Sequence, residues 1–147
     1  MKKILFVAAL LISVGTTSAF ANDEKVSPRV LKSFNSEFSY AQDVQWEVGE
    51  NYSRAAFTMN EQRVFAYYNT EGELLSIGRY ISTLQLPINL FSDLKNDYSK
   101  FWVSDLFEIS NGDGVHYYAT LETADTKLVV HSSNGSKWST HNKSKKI

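Results

Sequence analysis

The chain of 147 residues contains no cysteine. Without thiols it can form no disulfide bond, no thiolate metal site and no cysteine nucleophile. The absence also excludes the modified cysteine through which bacterial lipoproteins are anchored. The fold must therefore be stabilised by a hydrophobic core alone, and a chain of this length is long enough to form one.

Long apolar runs are scarce as well, since the sequence has one only at its N-terminus. Two lysines lie within residues 1–3, residues 4–14 carry no charge, and Ala19-Phe20-Ala21 matches the small-x-small pattern cleaved by signal peptidase. The apolar run is shorter than the roughly 20 residues that a helix needs to cross a bilayer. We predict a cleavable signal peptide at 1–21, localisation in the periplasm and no membrane span.

Basic residues are too few in the body of the chain to suit a nucleic-acid-binding protein. The mature chain would carry 13 basic and 16 acidic residues, and several of the basic ones are near the C-terminus: Lys137, Lys143, Lys145 and Lys146. A nucleic-acid-binding domain presents a basic face instead. We therefore expect no nucleic-acid partner, and we interpret the C-terminal segment as a basic, frayed tail.

A helix followed by four short strands is indicated twice along the chain. Ser27-Pro28 is a helix-start signal, and Pro87 begins a second pattern of apolar residues at helical spacing. Alternating segments separated by short turns follow each start, and residues 46–48 correspond to 107–109. Short turns imply antiparallel pairing, and each helix must cover one face of a sheet.

The predicted fold class is α+β, with two layers and a tandem duplication of an αβ4 unit. Residues 22–147 are predicted to form one domain, with the two units at about 27–81 and 86–140 and the basic tail after them. The pattern leaves open whether the two units share one continuous sheet.

Period-two alternation divides the strand side chains between two sheet faces. One set is predicted to face the helices: Ser53, Ala55, Phe57, Val64, Ala66, Tyr117, Ala119, Leu121, Leu128 and Val130. The other face is predicted to be open. Because tyrosine and arginine are enriched in binding surfaces, we name seven residues of that face as a candidate binding site: Tyr52, Arg54, Phe65, Tyr67, His116, Tyr118 and His131. The alternative is that chain segments or a dimer partner cover this face.

Two histidines are the main candidates for metal chemistry. His116 and His131 are predicted on neighbouring strands, with Asp113 or Glu122 nearby, but a zinc site needs a fuller set of ligands. Tyrosines occupy the corresponding positions of the first unit, so these positions also suit polar aromatic rings. His141 falls in the predicted tail and carries no signal. We expect no metal and no cofactor.

Catalytic motifs are missing from the sequence. There is no Gly-x-Ser-x-Gly elbow and no glycine loop that would hold a phosphate. The glycines at 112 and 114 indicate a hairpin turn rather than a calcium loop. Nearby carboxylates, such as Asp105 with Glu108 or Glu47 with Glu50, have no indicated cleft to shift their pKa values. We predict a protein that is not an enzyme.

A set of mostly apolar markers runs through the mature chain: Phe34, Phe38, Ala41, Val44-x-Trp46, Ala55-x-Phe57, Asn69-x-x-Gly72 and Leu86-Pro87. Together with the signal peptide, this pattern resembles the PepSY-like small periplasmic proteins over about 27–140. The resemblance implies the fold of the β-lactamase-inhibitor-protein-like family, a tandem repeat of a helix and a four-stranded sheet. It also implies a non-catalytic envelope protein, since related PepSY domains are associated with inhibition and the β-lactamase inhibitor binds an enzyme with its concave sheet face.

Three functions follow as hypotheses. The first is a periplasmic binding or inhibitory module that presents its open sheet face to a protein or peptide. The second is a structural envelope component that works through oligomerisation, for which a homodimer is the simplest form. The third, least favoured, is a small hydrolase.

Overall fold

The computed structural model of the protein describes residues 26–146. The signal peptide predicted at 1–21 lies outside these residues. Within 26–146, no helix is both long and apolar enough to cross a membrane.

Within 26–146, two helices and eight strands form an α+β fold in which four strands follow each helix. In chain order these elements are α1 (Pro28–Glu37), β1 (Gln42–Val48), β2 (Tyr52–Met59), β3 (Gln62–Asn69), β4 (Leu74–Tyr80), α2 (Ile88–Asn96), β5 (Trp102–Asn111), β6 (Gly114–Glu122), β7 (Thr126–Ser132) and β8 (Ser139–Lys145). A short 3-10 helix, Thr83–Gln85, connects the two halves. The order matches the predicted αβ4 pattern; the duplication itself stays a prediction.

The first helix begins where its sequence signal predicts. The Ser27 hydroxyl accepts a hydrogen bond from the Val30 backbone N–H at 3.3 Å, and Pro28 occupies the first turn, where its missing N–H has no consequence. Val30 and Phe34 of α1 are buried, as are Leu90 and Leu94 of α2. Each helix therefore presents one apolar side to the sheet.

All eight strands belong to one antiparallel sheet in the order β1 to β8. The two halves meet at β4 and β5, where Ser76 pairs with Asn111 and Tyr80 pairs with Phe107. The question that the sequence left open is thereby answered, since the two units form one continuous sheet.

Both helices lie on the same sheet face, each over its own cluster of buried side chains. Phe34 of α1 packs against Trp46 and Phe57, with ring centres 5.0 and 5.1 Å apart. The apolar residues predicted to face the helices all lie in these two clusters: Ala55, Phe57, Val64, Ala66, Tyr117, Ala119, Leu121, Leu128 and Val130. The period-two assignment of the faces is therefore confirmed.

The basic C-terminal segment is not a frayed tail. Residues 139–145 form β8, which pairs with β7 from Thr126↔Lys145 to His131↔Ser139. Backbone hydrogen bonds need no apolar side chain, and lysines are common on edge strands because they discourage pairing with other chains. The tail prediction was wrong because it was based on the polarity of the side chains, whereas backbone hydrogen bonds to β7 hold this segment in the sheet.

We expect Gly72→Ala to destabilise the protein by about 2 kcal/mol. Gly72 has a φ of 85°, and a Cβ atom there would lie 2.9 Å from the Arg29 carbonyl oxygen of α1. The left-handed conformation alone costs an L-residue about 1–2 kcal/mol. Gly112→Ala is the matched control, because a Cβ atom at Gly112 meets no atom within 4 Å. Equal losses in urea unfolding would contradict the prediction.

Candidate functional site

The seven predicted site residues all lie on the sheet face opposite both helices, here called the helix-free face. Pairing between neighbouring strands places these residues side by side across the sheet. Arg54 pairs with Tyr67, and Tyr118 pairs with His131. Tyr52, Phe65 and His116 alternate with them along the same strands. Within 26–146, the two helices cover only the other face, so no helix lies over these residues.

Arg54 organises the first half of this face. Its Nη2 forms an ion pair with Glu47 Oε2, and its Cζ lies over the Phe65 ring, 5.5 Å from the ring centre. Tyr52 donates a hydrogen bond from its hydroxyl to Glu47 Oε1 at 3.1 Å. The arginine is therefore held in one orientation by a carboxylate and an aromatic ring, and it is not a freely moving charge.

Three aromatic rings meet where the two halves of the sheet join. Phe65, Tyr80 and Phe107 have ring centres 5.1 to 5.8 Å apart. Gly78 makes room for them, since a Cβ atom there would lie 2.4 Å from Phe107 Cζ. Tyr80 and Phe107 were missed from the sequence because their neighbourhood depends on the β4–β5 pairing.

The same pairing continues the aromatic row into the second half. Tyr80 pairs with Phe107, Phe107 with Tyr118, and Tyr118 with His131. Four rings on four adjacent strands therefore run across the helix-free face. A glycine inside a predicted strand, as at Gly78, was the available sequence signal for this close packing.

All three histidines of the chain meet at the end of this row. His116 Nδ1 lies 3.3 Å from His131 Nε2, and the two ring planes differ by 8°. The Tyr118 ring centre is 4.5 Å from that of His131, and the His141 ring centre is 6.3 Å from it. His141 was missed because it was assigned to a tail, whereas β8 places it beside His131.

Two of the predicted site residues are less accessible than expected. Tyr67 is 4% exposed and His116 is 6% exposed. Side chains on the neighbouring strands exclude water from them. Arg54 and Ser76 flank Tyr67, and Ile109 and His131 flank His116. The expectation of an open face is corrected at these two positions, while the other five residues stay partly exposed.

The carboxylates considered from the sequence do not form a catalytic pair or a metal site. Glu108 accepts a hydrogen bond from Arg79 Nε at 2.7 Å on the helix side of β5, whereas Asp105 lies on the other side. Glu122 pairs with Lys146, and Asp113 is in the β5–β6 turn. Within 26–146, no three side chains of His, Asp or Glu surround a common point closely enough to hold a metal ion.

A cavity of about 290 Å³ lies beside Tyr80, between the segment that follows β4 and the first half of β5. It is lined by residues 80–83 and 103–106. Burial raises the pKa of the Asp105 carboxyl in this wall.

We expect Gly78→Ala to disrupt the three-ring cluster, because the new methyl group and Phe107 cannot occupy the same space. Overpacking of this kind typically costs about 1–3 kcal/mol. The double variant Gly78→Ala with Phe107→Ala should lose less stability than the sum of the two single variants, since truncating the ring removes the collision. Urea unfolding of the three variants measures the coupling, and simple additivity would contradict the packing described.

Alkaline pH should destabilise the protein partly through Tyr67. Burial raises the pKa of its phenol, although the nearby Arg54 opposes the shift. The unfolded chain therefore loses this proton first, and stability falls as pH rises above the ordinary tyrosine value of about 10. Tyr67→Phe should reduce this fall in urea unfolding between pH 8 and 11. An unchanged pH dependence would contradict the role assigned to Tyr67.

Comparison with known proteins identifies the fold of this chain but no sequence family. No protein-family model matches the chain, and no curated protein matches it by sequence. Solved structures do match. A BLIP-like protein from Bacteroides fragilis aligns with a TM-score of 0.68 at 15% identity, covering 81% of this chain and 85% of that one.

Two further structures show the same architecture. A Bacteroides eggerthii protein provisionally named as periplasmic has a TM-score of 0.71 at 11% identity, covering 82% of this chain and 88% of that one. A DUF2874 family protein from Bacteroides ovatus has a TM-score of 0.70 at 15% identity, with coverages of 80% and 86%. The chain therefore has the BLIP-like α+β fold, and the PepSY-like assignment stays a prediction.

Proposed function

We propose that the protein is a non-catalytic periplasmic module that binds a protein or peptide on its helix-free face. The observation that supports this most is the row of four rings at Tyr80, Phe107, Tyr118 and His131, which runs across four adjacent strands. Aromatic rings and arginine supply much of the binding energy of protein interfaces. The helices bury the other face, so this face is the one available for a partner.

The accessible part of the face has the mixed character of an interface. Tyr80 is 37% exposed, and Tyr52, Arg54, Phe65 and Tyr118 are partly exposed. Phe65 contacts both Arg54 and Tyr80, and Tyr118 packs on His131, so little side-chain entropy remains to be lost when a partner binds. The cavity beside Tyr80 offers a place for one anchoring side chain.

The structural neighbours support the same class of function. One of them is named BLIP-like and another carries a provisional periplasmic name. A binding role and a periplasmic location are compatible with both names. The predicted signal peptide at 1–21 and the missing catalytic motifs point in the same direction.

The proposal is tested by removing rings from the face without disturbing the core. A tagged mature protein is cross-linked in periplasmic extract, the captured partner is purified, and its affinity is measured for wild type and for Tyr80→Ala with Tyr118→Ala. Loss of two rings at an interface centre should weaken binding by about 30-fold or more.

Tyr40→Ala is the matched control. Tyr40 is 86% exposed and lies in the turn between α1 and β1, away from the face. This variant should bind like wild type. A partner that binds all three proteins equally, with their folds verified by circular dichroism, would refute binding on the helix-free face.

Oligomerisation is the second candidate. β1 and β8 are the two ends of the sheet and have no outer partner strand within 26–146. However, β8 carries Lys143 and Lys145, and lysines on an edge oppose pairing with another chain. Sedimentation at several concentrations distinguishes the candidates, since self-association lost in the Tyr80 and Tyr118 variant would favour oligomerisation through the face.

A further inference from the structure

The contact between His116 and His131 is a hydrogen bond whose direction depends on the tautomers of the two rings. The nitrogens are 3.3 Å apart while the ring centres are 5.5 Å apart, so the rings meet edge to edge and are not stacked. His116 Nε2 is buried and has no partner within the described residues. A bare nitrogen lone pair tolerates this better than an N–H donor, whose burial without an acceptor is costly. The neutral pair therefore has His116 Nδ1–H donating to His131 Nε2.

An added proton has no good place in this pair. On His131 it would occupy Nε2, so that two N–H donors would face each other and the hydrogen bond would break. On His116 it would occupy Nε2 and leave a buried, charged donor without an acceptor. Protonation of either ring is therefore unfavourable as long as the His116–His131 hydrogen bond is intact.

The surroundings offer the added charge no compensation. On β5, the residue that pairs with His116 is Ile109, and on β6 the neighbouring ring is that of Tyr118. On β8, His141 approaches His131 and would add like charge once protonated. Burial lowers the pKa of His131, and His116 and His141 lower it further. No carboxylate is among the groups that shift it.

We propose that the His116–His131 hydrogen bond is an acid-sensitive latch that holds the β6–β8 part of the helix-free face in its binding form at neutral pH. Acidification protonates His131 and separates the two rings. Tyr118 then loses its contact with the His131 ring, and the end of the aromatic row is no longer held in place. As a regulation of the binding site, this rests on the function proposed above.

The sign of the effect follows from proton binding. Because His131 of the unfolded chain takes up a proton near the ordinary histidine value of about 6.5, whereas burial and the nearby His116 lower its pKa in the folded protein, stability is lost as pH falls below that value. Where the unfolded state binds one proton more than the folded state, the unfolding equilibrium constant rises by about tenfold for each unit by which the pH falls.

The first experiment needs no partner. Urea unfolding of the mature protein is measured from pH 7.5 to 5.5 for wild type, His131→Gln and His141→Gln, with a chelator present. Glutamine at 131 can accept the His116 proton through its amide oxygen but does not titrate. His131→Gln should flatten the pH dependence, while His141→Gln should retain most of it. A wild-type stability that does not change with pH, or an equal change in His131→Gln, would overturn the latch.

Nitrogen-15 NMR of the histidine rings provides an independent readout. It should show His116 protonated at Nδ1 at pH 7.5 and a histidine that titrates below the ordinary value. His116 protonated at Nε2 would overturn the assigned hydrogen bond.

The second experiment uses the partner captured on the helix-free face. Its binding to wild type should weaken by at least about tenfold between pH 7.5 and 5.5, and its binding to His131→Gln should change less. Equal pH dependence in both would overturn the regulatory role. If the face binds no partner, the unfolding and NMR results still decide whether the latch exists, so the two failures are distinguishable.

Discussion

The backbone hydrogen bonds between β4 and β5 join two small sheets into one and set the geometry of the whole molecule. Their register places Ile77 opposite Ser110 on the helix side and Tyr80 opposite Phe107 on the other side. Both helices consequently lie on one face, and the rings of both halves lie on the other. Arg79 and Glu108 form an ion pair at this junction on the helix side.

Close packing of neighbouring side chains excludes water from parts of the helix-free face. Residues such as Tyr67 and Ile109 are buried although no described helix covers them. Gly78 is part of the explanation, because its missing side chain lets Phe107 lie close to the β4 backbone. A face packed in this way is ordered before any partner arrives, which lowers the entropy lost on binding.

The two halves of this face differ chemically although they share one architecture. In the first half an arginine, a glutamate and a tyrosine form a charged network around Arg54. In the second half the corresponding region holds three imidazoles and Tyr118. One half thus contains an ion pair, whereas the other contains three side chains of the residue type whose ordinary pKa lies nearest to physiological pH. This difference makes it reasonable to look for pH regulation in the second half only.

Local patterns in the sequence predicted the helix starts, the strand order and the side of the sheet on which each strand residue lies. Ser27-Pro28 acts through its own neighbours, and period-two alternation acts within one strand, so neither depends on distant contacts. The segment with β8 was misjudged, because an edge strand of polar residues has no apolar alternation to reveal it.

The sequence by itself therefore determined the α+β class, the order of one helix and four strands in each half, the apolar strand residues that face the helices and five partly exposed residues of the candidate face. Only the tertiary structure decided that the units share one sheet, that Tyr80 and Phe107 complete the aromatic row, and that His141 joins the other histidines. The physical reason is that these features depend on which strands pair, and pairing between strands far apart in sequence is chosen by the packing of the whole sheet.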